Sequence, residues 1–250
     1  MSLFFRKPLD DALRGMEPIM RVRSPLRTLA PMLISMAATW IVYVPIHELL
    51  HVAGCEVAGG EAYELEIKAL YGGHILKKIF PDLIKVGGHY AGRLSSFEWY
   101  GNDLIYLVTD FMPFLLTVFI GVPLVYLCMR RRRPWLFGSA VVVGFAPFYN
   151  LPGDYYEMAS ISLTRFLTLF RDGGAPLYQG LRSDDVFTLV KNVFVTPAEM
   201  GLNSGIDYLA AALIIPASIV IAVLLAFVTY WMGVWFSRTV LRLEAKPAVS

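Results

Sequence analysis

Residues Leu33–Gly54 read LISMAATWIVYVPIHELLHVAG, and this stretch decides how the chain must fold. Leu33–Ile46 carries no charged side chain, whereas the next five positions, His47-Glu48-Leu49-Leu50-His51, hold three ionisable ones. The apolar part, extended back to about Leu29, is long enough to cross a hydrocarbon layer as a helix. Ionisable groups at the end of such a span cost several kcal/mol unless paired or solvated. The composition of all 250 residues agrees with a lipid-facing chain: 56% are hydrophobic, 17% charged, and mean hydropathy is +0.56. A soluble domain sits nearer about 45–50% apolar and about 25% charged. Disorder and nucleic-acid binding both need more charge. With Cys55 and Cys128 as its two cysteines, the chain is no disulfide scaffold.

Working outward, hydropathy predicts an all-α polytopic membrane protein with about four transmembrane helices and a small membrane-associated β-hairpin or sheet after the first span. The spans are expected at about 29–54, 103–129, 134–149 and 208–237, with Met158–Phe170 the segment most able to change that count. Residues 1–28 read as a basic arm with no continuous apolar core of a cleavable signal. Residues 29–157 read as a three-span core with a hairpin insertion at 61–95. Residues 158–207 form an extramembrane or interfacial loop, and 208–250 the last span with a basic tail. Within the insertion, Tyr63–Leu70 alternates apolar and polar residues, and Gly72-Gly73 and Gly87-Gly88 supply turns. In the later loop, Ser183–Val195 has the pattern of an amphipathic helix with Ser183 as N-cap and Asp184-Asp185 in its first turn. The arm, the Arg130–Arg133 run and the tail from Arg238 carry thirteen of the 22 Lys and Arg. This bias predicts an integral protein of the cell or cytoplasmic membrane with both termini cytoplasmic.

His47-Glu48-Leu49-Leu50-His51 is an HExxH motif, for which random order predicts roughly 0.003 matches in a chain of this composition. Residues i and i+4 share a helix face, so both imidazoles can reach one Zn²⁺, and Glu48 lies where a carboxylate can take a proton from zinc-activated water. A catalytic zinc needs a third protein ligand. Asn150-Leu151-Pro152-Gly153-Asp154 supplies the best one, Asp154. From Leu29 to His47 is about 27 Å of helix and from Pro134 to Asn150 about 24 Å, so the two polar ends meet at similar depth. Asp110, inside the second span, and Glu157 are rival third ligands, and Asp110 also suits a supporting role beside an imidazole. His74 and His89 read as loop residues, and Cys55 as a buried free thiol.

This pattern resembles the site-2 protease family of intramembrane zinc metalloproteases: an HExxH in a span, a three-span core, and an Asn/Pro/Asp cluster ending a later span. The likeness covers roughly residues 29–157 and rests on His47, Glu48, His51 and Asp154. It implies that His47, His51 and Asp154 bind zinc, that Glu48 is the general base, and that Asn150 holds the substrate backbone or the oxyanion. It also implies that an unwound substrate pairs with the strand segment. The family pattern runs nearer N-x-x-P with a later L-D-G, which this chain compresses to NLPGDYY. The expected activity is thus a zinc metalloendopeptidase acting on membrane-protein or peptide substrates, with the lipid bilayer as its other partner. Two alternatives stay open: a membrane-anchored zinc peptidase that cuts outside the bilayer, and a non-catalytic metal-binding membrane protein.

Overall fold

A computed structural model describes residues 3–20, 25–169 and 178–243. The chain opens with α1 (Leu3–Met20) and the 33-residue α2 (Pro25–Val57), which carries the HExxH motif near its C-terminal end. A small sheet follows, built from β1 (Glu61–Ile67), the short helix α3 (Gly73–Ile79), β2 (Ile84–Val86) and β3 (Gly92–Glu98). Next come α4 (Asp103–Phe111) and α5 (Val122–Arg131), joined through tighter and wider helical turns at 112–121. Then α6 (Pro134–Gly144), α7 (Ala146–Tyr149) and α8 (Tyr156–Thr168) run in close succession. The ten-residue α9 (Val186–Val195), expected as amphipathic, and the 31-residue α10 (Gly205–Trp235) complete the described chain.

Among the described residues, three helical stretches are long and apolar enough to cross a membrane: Leu26–Val57, Asp103–Arg131 and Gly205–Val240. The chain is thus compatible with an integral membrane protein. The span expected at 134–149 is not one long helix. It breaks at Phe145, ahead of Pro147, and ends at Asn150; beyond that end Gly153 has φ −108° and ψ −117°. Proline removes a backbone donor and crowds the preceding turn, which disfavours a continuous helix through Pro147. Met158–Phe170, expected as loop or span, begins as the largely buried α8.

The insertion is a mixed sheet rather than a hairpin. Its strand order is β2-β1-β3, with β1 parallel to β2 and antiparallel to β3. The reason lies at Gly72-Gly73: Gly72 takes φ +81° and leads into α3, so the chain returns by a helical crossover instead of a tight turn. The alternation read in β1 is present, with Leu65 and Ile67 buried against Ile84 and flanked by Leu49 and Val52 of α2. The sheet therefore rests on the last turns of the motif-bearing helix.

Close helix approach sets the rest. A Cβ on Gly138 of α6 would lie 2.3 Å from the Met32 carbonyl oxygen, and one on Gly54 would lie 2.8 Å from Cβ of Met112. Bare backbone at these crossings brings α2 directly against α6 and α4. The main core, including Tyr43, Phe114, Ala146, Tyr155 and Ala226, fills the space behind the motif. In α9 the cap is Asp185, not Ser183: its carboxylate accepts from the backbone N–H groups of Phe187 and Thr188, because the helix begins two residues later than the sequence suggested. Both faces of α9 are apolar, with Leu189 and Val193 buried and Phe187 and Phe194 largely exposed.

Candidate metal centre

Helical spacing stacks His47 and His51 on the buried face of α2, 6% and 7% exposed. Their outer nitrogens are engaged. His47 Nδ1 lies 2.9 Å from the Tyr43 hydroxyl and His51 Nδ1 lies 2.8 Å from the backbone oxygen of Thr109 in α4. A carbonyl can only accept, so His51 carries its hydrogen on Nδ1 and turns a bare Nε2 inward. The two Nε2 atoms are 3.2 Å apart. Ring packing against Tyr43 and Phe114 fixes His47 from its sides.

Asp154 meets them from the break between α7 and α8. Its Oδ2 lies 3.3 Å from His47 Nε2 and 3.8 Å from His51 Nε2. The non-helical Gly153 turns this residue toward α2, while the backbone oxygen of Asn150 accepts from the N–H groups of Gly153 and Tyr155. The Tyr155 hydroxyl, bonded to Thr229 Oγ1 at 2.8 Å, ties the turn to α10.

The cluster fits a tetrahedral metal. Bonds of about 2.0–2.1 Å place ligand atoms roughly 3.3–3.4 Å apart, close to the distances of 3.2, 3.3 and 3.8 Å found here. Asp154 Oδ2 is buried, and the groups it faces are the two imidazoles, at 3.3 and 3.8 Å. Among the described residues, His47, His51 and Asp154 form the group of three whose ligand atoms all lie within 4.8 Å. Such a group could hold a metal ion.

These residues line a cavity of about 540 Å³ together with Glu48, Asn150 and the strand residues Gly92, Arg93 and Leu94. β3 passes so close to Glu48 that a Cβ on Gly92 would sit 2.4 Å from Glu48 Cγ. Asn150 donates from Nδ2 to the Ala146 carbonyl at 3.1 Å, which leaves its second amide hydrogen uncommitted by that bond. All five residues singled out by the motifs thus share one cavity. Asp110 and Glu157 line it too, but neither belongs to the three-residue cluster. His74, which stands on α3 rather than in a loop, and His89 are exposed and lie outside it, and Cys55 is fully buried.

Sequence reading missed Tyr43, the Thr109 carbonyl and Gly92. Tyr43 stands four residues before His47, so the face-sharing rule that paired the histidines would have found it. A backbone oxygen on another helix leaves no such mark. Over the mouth of the cavity, Arg93 pairs with Asp184 at 2.8 Å, joining β3 to the start of α9. Compared with known protein families, curated proteins and solved structures, the chain matches none.

Proposed function

We propose that this chain is an integral membrane zinc metalloendopeptidase, a hydrolase that cuts membrane-spanning or membrane-proximal peptide substrates. The observation that carries this reading is the meeting of His47, His51 and Asp154 in a cavity that also holds Glu48, at the polar end of an apolar helix. His47, His51 and Asp154 would hold the zinc ion, which when bound supplies Lewis acidity toward the scissile carbonyl and acidifies water. Tyr43 and the Thr109 carbonyl orient the two imidazoles. Glu48 takes the proton of the attacking water on its carboxylate and returns it to the leaving amine. The uncommitted amide hydrogen of Asn150 serves the oxyanion.

β3 is an edge strand of the sheet and passes directly beside Glu48. An unwound substrate added to that edge would present its carbonyls to the centre. A helical substrate hides those carbonyls, so Pro or Gly near the cut site favours cleavage. In this reading α6 to α8 make the fourth, broken crossing, and the non-helical turn at 150–154 survives there because protein surrounds it. The termini then lie on the cytoplasmic side.

Zinc content and hydrolysis of a transmembrane peptide, measured on the same purified samples, test the assignment. Wild type and Glu48→Ala should each hold about one zinc, with hydrolysis by Glu48→Ala reduced about 10²–10⁴-fold. Asp154→Ala should lose both zinc and activity. Absence of zinc from wild type prepared under metal-replete conditions, or wild-type turnover by Glu48→Ala, would sink the reading.

A further inference from the structure

The cavity extends past the metal-ligand cluster to a second set of polar side chains that the proposed hydrolysis does not use. Asp110 of α4 and Glu157 of α8 line this part of the wall, 5% and 8% exposed. Tyr106 donates to Glu157 Oε1 at 2.8 Å, but Asp110 Oδ2 is buried with no hydrogen-bond partner among the described residues. The acidic groups Glu157, Asp154 and Asp184 all act on Asp110 with the same sign. Arg93 is the one Lys or Arg among the lining residues, and Asp184 already holds it at 2.8 Å.

A buried charge without a partner costs several kcal/mol, and two like charges in one dry wall cost more. Such a pair stays ionised only when something positive completes it, and otherwise takes up a proton. A second metal ion suits the geometry poorly, because Asp110 and Glu157 belong to no set of three ligand atoms within 4.8 Å among the described residues. A flexible cation entering through the cavity suits it well. A lysine ammonium offers three donors, and an arginine guanidinium offers five in a planar fork that can bridge two carboxylates. The position adds a second constraint. Asp110 directly follows Thr109, whose carbonyl orients His51, and Glu157 stands three residues after Asp154. A side chain bound between them belongs to a residue close to the bond being cut.

We propose that Asp110 and Glu157 form a cation subsite that receives a Lys or Arg side chain of the substrate beside the scissile bond. The subsite rests on the peptidase reading above and gives it a specificity. Tyr106 holds Glu157 in place.

Two measurements on the zinc-loaded, full-length protein test this. The first is cleavage of a peptide library varied around the cut site. Lys or Arg at one position should raise kcat/KM at least about 10-fold over norleucine, the gain typical of a charge-assisted hydrogen bond. That ratio should collapse in Asp110→Asn and in Glu157→Gln while zinc content stays at the wild-type level. The second is calorimetric binding of n-butylguanidinium, which requires no catalysis; both substitutions should abolish it. Cleavage with no preference for a cation overturns the subsite and leaves the peptidase standing. Butylguanidinium binding that both substitutions abolish, without cleavage of any peptide, removes the peptidase and with it the substrate role, leaving a cation site alone. Absence of butylguanidinium binding to wild type overturns the subsite and identifies the pair as carboxyls sharing a buried proton. A second zinc per chain that Asp110→Asn loses overturns it in favour of a metal. Should Asp110→Asn fail to fold, Glu157→Gln and the wild-type library decide between these outcomes.

Discussion

Lys7, Asp11 and Tyr230 form one buried polar set in the apolar bundle, and His47, His51 and Asp154 form another. In the first, Lys7 pairs with Asp11 one helical turn away, and Tyr230 donates to the second carboxylate oxygen at 3.1 Å. The Lys7 ammonium lies 5.2 Å from the centre of the Tyr126 ring. Opposite charges meet there, and the set closes upon itself. It clasps α1 onto α5 and α10, while Leu9 and Leu13 of the same helix face outward. In the second set the outward atoms are satisfied by Tyr43 and Thr109, yet the inward Nε2 atoms and Asp154 Oδ2 converge on one another. A closed pair contributes to holding the fold. A set with its outer bonds made and its inner lone pairs convergent is prepared for a ligand.

The contrast can be broken by removing one member of each set. Asp11→Ala should give the largest loss of stability, about 3–5 kcal/mol, because it strands a buried lysine. Thermal unfolding in detergent should register that loss with zinc content unchanged, whereas the apolar double substitution Lys7→Met with Asp11→Leu should restore most of it. If Asp11→Ala strips the zinc, the two sets are not independent and the contrast fails. Tyr43→Phe should weaken zinc about 10–100-fold, as the loss of a partner behind a metal-bound imidazole does. Competition with a chelator measures this, and the melting temperature of the metal-free protein should barely move. Unchanged zinc affinity would mean that the Tyr43 hydroxyl does not orient His47.

The smallest effect is expected at the cap of α9, which borders the cavity without entering the ligand set. Partial burial opposes ionisation of Asp185, but bonds from the Thr188 side chain and the backbone of Thr188 and Phe187 prevail and hold it below the ordinary carboxylate range. Its contribution, about 1 kcal/mol, is fully present above about pH 4 and is lost as pH falls through its lowered pKa. Protection factors of the α9 amides, followed by hydrogen exchange, should therefore fall on acidification in wild type. Asp185→Ala should show the lower protection at every pH. Equal acid sensitivity in both proteins would assign the loss to another group.

Some of this was legible from local pattern alone. The apolar length of α2, its His47–His51 spacing, the alternation of β1 and the polar break at Asn150–Asp154 each depend on neighbours within a few residues. Helix period, strand period and the chemistry of Pro and Gly are local rules, so they can be read off a string of residues. Arithmetic on helix rise predicts similar depth for the polar ends at His47 and Asn150.

Other features were set by parts of the chain far apart in sequence. The segment expected as a hairpin or sheet is a three-stranded mixed sheet, because Gly72-Gly73 opens a helical crossover. The span expected at 134–149 divides into α6 and α7 at Phe145, ahead of Pro147. Asp110 and Glu157 were weighed as rival ligands, and their place on the cavity wall follows from how α4 and α8 pack. By itself the sequence determined a lipid-compatible helical chain carrying two imidazoles and a glutamate with metal-site spacing. Only the tertiary structure decided that Asp154 meets the two imidazoles, that a Thr109 carbonyl orients His51, and that β3 runs beside Glu48. Each of these joins residues whose separation along the chain carries no information about their separation in space.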